Sequence, residues 1–117
     1  MAHTTAGRKL GRKQGHRRQM MRSLASDLIR YEQIKTTVPK AKECKRLADR
    51  IISAAKKNDL NAKKRVAQDI HDKEVFHKIF DVLVSRYSNR TGGFARIFRI
   101  SRRQGDNAEV ALIKLIA

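Results

Sequence analysis

The chain has 117 residues, with 28 Lys or Arg against 11 Asp or Glu and a formal net charge of +17. That length suits one domain around one hydrophobic core, and an apolar share of 40% excludes disorder throughout. A single cysteine, Cys44, excludes an internal disulfide and a four-cysteine zinc site, and no apolar run approaches the roughly 18 residues of a membrane span.

The first element is the segment GRKLGRKQGHRR, residues 7–18, with six Arg or Lys, three glycines and no acid. It cannot bury itself. Gly7, Gly11 and Gly15 leave the backbone free to approach another surface closely. Residues 1–15 therefore read as a flexible basic arm, and residues 16–117 as a single α+β domain. No hydrophobic stretch follows the basic start, so a secretory signal is not expected.

From about His16 the apolar spacing turns helical, with Met21, Leu24, Ala25, Leu28 and Tyr31 on one stripe. QIKTTV, residues 33–38, alternates β-branched residues and reads as a strand. Pro39 suits the first turn of a helix, with Thr37 as its cap. Ala41, Cys44, Ala48, Ile51 or Ile52, and Ala55 carry that helix to about Lys57, where Asn58-Asp59 breaks it. Asn61 is the expected cap of a shorter helix bearing Ala62, Val66 and Ile70. Asp72 is the expected cap of a more apolar one, with Val75, Phe76, Ile79, Phe80, Leu83, Val84 and Tyr87 on a broad buried face. SNRTGG then reads as a loop. Two strands follow, FARIFRI at 94–100 and AEVALIKLI at 108–116, joined through Gly105-Asp106-Asn107 as a hairpin. The order helix, strand, three helices, two strands predicts an α+β fold, its helices packed on a small three-stranded mixed sheet.

Positive charge is concentrated twice. Arg8, Lys9, Arg12, Lys13, His16, Arg17, Arg18 and Arg22 all precede the first acid, Asp27. Arg86, Arg90, Arg96, Arg99, Arg102 and Arg103 lie between Asp81 and Asp106 with no acid among them. A folded domain with such an imbalance repels itself and favours a polyanion, nucleic acid before an anionic membrane. Arginine adds two-point pairing with phosphate. The basic residues from 42 to 65 are interleaved with Glu43, Asp49, Asp59 and Asp69, and read as solvated helix faces with intrahelical pairs.

Catalysis finds no constellation. His3, His16, His71 and His77 lack the spacing of metal ligands, the acids Asp69, Asp72 and Glu74 gather at a helix start, and Cys44 falls on an apolar stripe. A glycine-spaced basic arm suits folded RNA better than a DNA groove, since the first helix runs into a strand rather than a helix–turn–helix. The aromatic residues, Phe98 among them, mostly read as buried. That favours recognition of shape and backbone over base stacking. A DNA-compacting protein is the alternative reading, and an amphipathic membrane binder a weaker third.

Several blocks also carry a family resemblance: GRKLGR, HRRQMMRSLASDLI, IKTTVPKAKE, LADRII and RTGGFARIFRISRRQGDNAEVALIKLI. Together, from about Gly7 to Ile116, they resemble the bacterial large-subunit ribosomal protein L17 family. The resemblance implies a non-enzymatic, cofactor-free α+β protein of the large ribosomal subunit, cytoplasmic within the ribosome. It also implies a place near the rim of the polypeptide exit tunnel. The implied partners are large-subunit (23S) ribosomal RNA and neighbouring ribosomal proteins, with no membrane and no small-molecule substrate. On the residue reading, RNA contacts fall to Arg8, Lys9, Arg12, Lys13, His16, Arg17, Arg18 and Arg22 of the arm and first helix. Arg90, Arg96, Arg99, Arg102 and Arg103 of the hairpin region complete the set.

Overall fold

Several helix boundaries fall where the sequence supplies a chemical reason. A computed structural model describes residues 13–117, with the order α1 (Gln14–Tyr31), β1 (Gln33–Thr37), α2 (Val38–Ala55), α3 (Leu60–Asp69), α4, β2 (Ala95–Arg102) and β3 (Glu109–Leu115). α4 is composite: α-helical over Lys73–Lys78, π-helical over Ile79–Leu83 and α-helical again over Val84–Arg86. The expected arm lies outside the described residues except at its end, where Gln14 and Gly15 already belong to α1.

Pro39 occupies the first turn of α2, as its fixed φ and missing N–H favour. Thr37 holds the cap position, but its hydroxyl makes no capping bond. Asn58 takes a left-handed φ of 52° between α2 and α3. The α3 cap is Asp59 rather than Asn61: its carboxylate accepts the Ala62 N–H at 2.7 Å, so the helix starts earlier than expected. Asp72 caps α4, accepting from the N–H groups of Glu74 at 2.9 Å and Val75 at 3.4 Å.

The three strands form one sheet in the order β1-β3-β2, and both pairings are antiparallel. This corrects the expected mixed sheet. The short turn after Arg102 forces β3 back along β2, and β3 then lies between β2 and β1. β1 and β2 run in the same direction, yet they never meet. The chain's last strand thus becomes the central one.

Burial follows the pleat. Ala111, Ile113 and Leu115 of β3 point into the helices, with Ala95 of β2 beside them and Ile34 and Ile97 packed at the edge. Against them stand Ala25, Leu28 and Ile29 of α1, and Ala41, Cys44, Ala48, Ile52 and Ala55 of α2. α4 adds Val75, Ile79 and Leu83, with Tyr87 just past its end. Alanine and cysteine along α2 keep that stripe thin, letting the helix lie close to the sheet. Tyr31, expected on the α1 stripe, is 65% exposed, and Ile29 is buried in its stead. Tyr87 donates its hydroxyl proton to the Ile116 carbonyl, and its ring lies 5.1 Å from that of Phe94. Asp49 reaches across from α2 to accept the Phe94 N–H at 2.9 Å, fixing where the chain enters β2.

Glu32 ties most of these elements together. It ends α1 in a left-handed conformation, φ 65°, with its N–H donating to the Leu28 carbonyl. Its own carbonyl accepts the Leu115 N–H at 2.9 Å. The carboxylate receives Arg86 at 2.5 Å and Lys78 at 3.1 Å, both from α4. The Arg86 hydrogen bond holds the Glu32 carboxyl below the usual carboxylate range, against a smaller opposing effect of burial. A lowered folded-state pKa contributes stability above the unfolded value, and that contribution is lost as pH falls through the folded one. Glu32→Gln is therefore expected to lower the urea midpoint at neutral pH, with the gap from the native chain closing below about pH 4. A gap independent of pH would remove the ion pair from this account.

Candidate nucleic-acid interface

The acids of the chain are largely committed to holding its elements together. Asp69 pairs with Arg22 at 3.0 Å, and Asp72 and Glu74 both pair with Arg30. Lys45 meets Asp49 at 2.7 Å, and Arg46 meets Glu43 at 3.5 Å, as the alternating charges of α2 led one to expect. The Arg22 and Arg30 pairs join α1 to the end of α3 and the start of α4 across a polar cleft of about 420 Å³, lined also by Ser23, Ser26, Asp27 and His71. That cleft is a seam between helices already balanced in charge. The surplus cations lie elsewhere.

Lys13 just before α1 and His16 and Arg18 within it are exposed, and Arg17 is half-buried. Arg22, placed with them by the sequence, instead makes its pair with Asp69. Arg8, Lys9 and Arg12 lie outside the described residues. The first turn of α1 contains no acid, although acids are favoured at a helix N-terminus. Its surface is left positive, and the dipole adds to that potential.

The hairpin sorts its arginines in a way that strand alternation alone does not predict. Between Arg99, opposite Ala111, and Ser101, opposite Val110, β2 spends two residues against one of β3, so Ile100 is an inserted bulge residue. Simple alternation would put Arg99 and Arg102 on opposite faces. With the bulge both reach Glu109, at 3.7 and 3.4 Å. Arg103 is clamped at the turn by Asp106, its Nη2 at 2.5 Å and Nε at 3.2 Å. That contact, with help from the Ala108 N–H, brings the Asp106 carboxyl down to about 2. Gly105 at φ 98° and Asn107 at φ 57° complete the turn. Arg90 donates to the Gly93 carbonyl at 3.1 Å in the loop before β2. Arg86, the first member of the acid-free run, serves the Glu32 junction.

Arg96 stands apart from these, on the face of the sheet turned away from the helices. The strand register lays out that face in rows: Gln33, Lys114 and Arg96; then Lys35, Leu112 and Phe98; then Thr37, Val110 and Ser101. It carries three cations and no acid. Among the described residues, Arg96, Lys114 and Lys35 make no ion pair. Lys35 and Lys114 were missed in the sequence because each lies alone in its strand, and only pairing through β3 brings them beside Arg96. Phe98 is 48% exposed here, an exception to the expectation that most of the aromatic residues are buried.

The match to known proteins now has a structure to rest on. A family model described as Ribosomal protein L17 matches residues 20–116. A protein of Elusimicrobium minutum named large ribosomal subunit protein bL17 is 47% identical over 116 residues, covering 99% of each chain. Proteins of the same name from Halothermothrix orenii and Anaeromyxobacter sp. (strain K) are 46% and 45% identical. The first alignment covers 93% of this chain and 96% of the relative, the second 99% and 73%. The chain is thus a structural protein of the large ribosomal subunit rather than an enzyme. It belongs to the ribosomal protein L17 family.

Cys44 is fully buried in α2, and burial, with the charge of Asp27 adding to it, pushes its thiol up to about 12. A thiol reagent at neutral pH is expected to leave the native chain unlabelled and to label it fully in denaturant; fast native labelling would contradict the core position. The open face makes a second prediction. Like charges directly opposite across strands are destabilising, so Arg96→Glu should stabilise the free protein by ~0.2–1 kcal/mol in low-salt urea unfolding. A clear loss of stability would show that Arg96 and Lys114 do not repel.

Proposed function

We propose that this chain binds the large-subunit (23S) ribosomal RNA through its backbone phosphates, near the rim of the polypeptide exit tunnel, in the cytoplasm. Residues 1–15, of which the last two lie in the first turn of α1, act as the basic contact segment, and residues 16–117 as the α+β unit that carries it. Arg8, Lys9, Arg12, Lys13, His16, Arg17 and Arg18 form one contact region. Arg90, Arg96, Arg99, Arg102 and Arg103 form the other, flanking the hairpin on both faces. Arg22 contributes by holding α1 in place rather than as a free cation. Neighbouring large-subunit proteins complete the surroundings.

The observation that carries this reading is the separation of charge within the chain. Acids are drawn into ion pairs that join elements, while cations on the open sheet face have no partner among the described residues. Glu109 and Asp106 only part-neutralise Arg99, Arg102 and Arg103, and they hold those forks in place. A polyphosphate supplies the missing charge, and each neutralised phosphate releases condensed counterions.

The test is the salt dependence of binding to protein-free large-subunit ribosomal RNA. With six to ten phosphates neutralised, affinity should fall about a thousandfold or more between 50 and 200 mM salt. Deleting residues 1–12, which spares α1, should leave the fold intact and flatten the log–log slope by about 0.9 for each phosphate that the arm had neutralised. Replacing Arg96, Arg99 and Arg102 together by Gln should flatten it further. An unchanged slope in both variants, or free displacement of the RNA by duplex DNA of equal phosphate content, overturns the proposal.

A further inference from the structure

The open sheet face holds more than charge. Phe98 is 48% exposed, and Leu112 and Val110 lie beside it on the same side of the sheet, partly covered. Unlike Ile34 and Ile97, which point toward the helices, Phe98 and Leu112 do not join the core. Phe98 sits at the centre of β2, directly beside Leu112, with Lys35 beyond it and the Arg96–Lys114 pair one row away. A rigid strand thus presents one aromatic ring surrounded by three cations, with no acid on the face.

We infer that an unpaired nucleotide of the ribosomal RNA stacks its base on Phe98, with the flanking phosphates held by Lys35, Arg96 and Lys114. The inference rests on the RNA-binding reading above and assigns this face its occupant. Two observations select a nucleotide over an apolar protein surface. Arg96 and Lys114 are cross-strand neighbours of like sign, an arrangement that is unfavourable alone and is relieved by a polyanion. Phe98 is also the one aromatic residue in the three rows of this face, with only Leu112 and Val110, both partly covered, as apolar neighbours there. Base–aromatic stacking tolerates any base, because every base offers a π-face, and adjacent cations then fix the backbone. Leu112 supports the ring from the neighbouring strand, so the platform needs no rearrangement to bind.

The chain contains no tryptophan, which supplies the experiment. Phe98→Trp in the full chain places a sole tryptophan on the platform, and Val82→Trp places one at an exposed site on α4, 41% accessible in the native chain. Titration with protein-free large-subunit ribosomal RNA at low salt is expected to quench the first strongly, to recover with added salt, and to leave the second nearly unchanged. Phe98→Leu, which keeps an apolar side chain but removes the ring, is expected to weaken RNA binding about tenfold, whereas Phe98→Trp retains it. If RNA binds with the native salt dependence while emission from the Phe98→Trp chain stays constant, stacking is wrong and the RNA-binding reading stands. Equal affinity of Phe98→Leu and the native chain has the same meaning. Quenching or a blue shift on adding large-subunit proteins without RNA assigns the face to a protein and overturns the inference. If no variant, nor the native chain, retains the RNA at low salt, both readings fall.

Discussion

Ala111, Ile113 and Leu115 project from the central strand into the helices, while Val110, Leu112 and Lys114 project the other way. This one-sided burial is the constraint on which the rest depends. A strand alternates its side chains by geometry, so covering one face with α1 and α2 necessarily presents a second, uncovered face. In a protein without a partner, polar residues of mixed sign would suit that second face. Here it bears Lys35, Arg96 and Lys114 around Phe98, three cations with no acid among them.

The same division runs through the electrostatics. Carboxylates sit at junctions: Glu32 between α1, β3 and α4; Asp49 between α2 and the entry to β2; Asp69 and Asp72 between α1 and the α3–α4 link. Most of these pairs are partly exposed, so each contributes modestly to stability, on the order of a kcal/mol or less. Their larger effect is positional, since they orient helices whose other faces remain positive. Glu109 likewise gathers Arg99 and Arg102 on one side of the hairpin.

Much of the fold was legible because local signals agreed with burial. Pro39, Asp72 and the Asn58-Asp59 break mark helix boundaries by backbone chemistry that operates within a few residues. The α2 and α4 stripes followed from spacing alone. Misses arose where two local residues competed or where a long-range interaction decided. Asp59 outcompeted Asn61 for the α3 cap, and Ile29 displaced Tyr31 from the core at the end of α1. The π-helical segment Ile79–Leu83, where the Val84 N–H reaches back to the Ile79 carbonyl, has no signature in residue type. Most aromatic residues were expected to be buried, and the uncovered side of the sheet makes Phe98 an exception.

The candidate site divides along the same line. Composition and run length alone determined that this chain carries two concentrations of positive charge, one before Asp27 and one before Asp106, because net charge is a sum over residues and needs no geometry. The helix–strand order and the family blocks were likewise present in the linear chain. Tertiary structure decided which cations are free and which are bound internally: Arg22 and Arg86 went to carboxylates, and Lys35 and Lys114 came to stand beside Arg96. It also decided, through one inserted residue at Ile100, that Arg99 and Arg102 share a face. Pairing, register and bulges depend on strands distant in sequence, so the grouping of charges in space could be read only once β3 had been placed between β1 and β2.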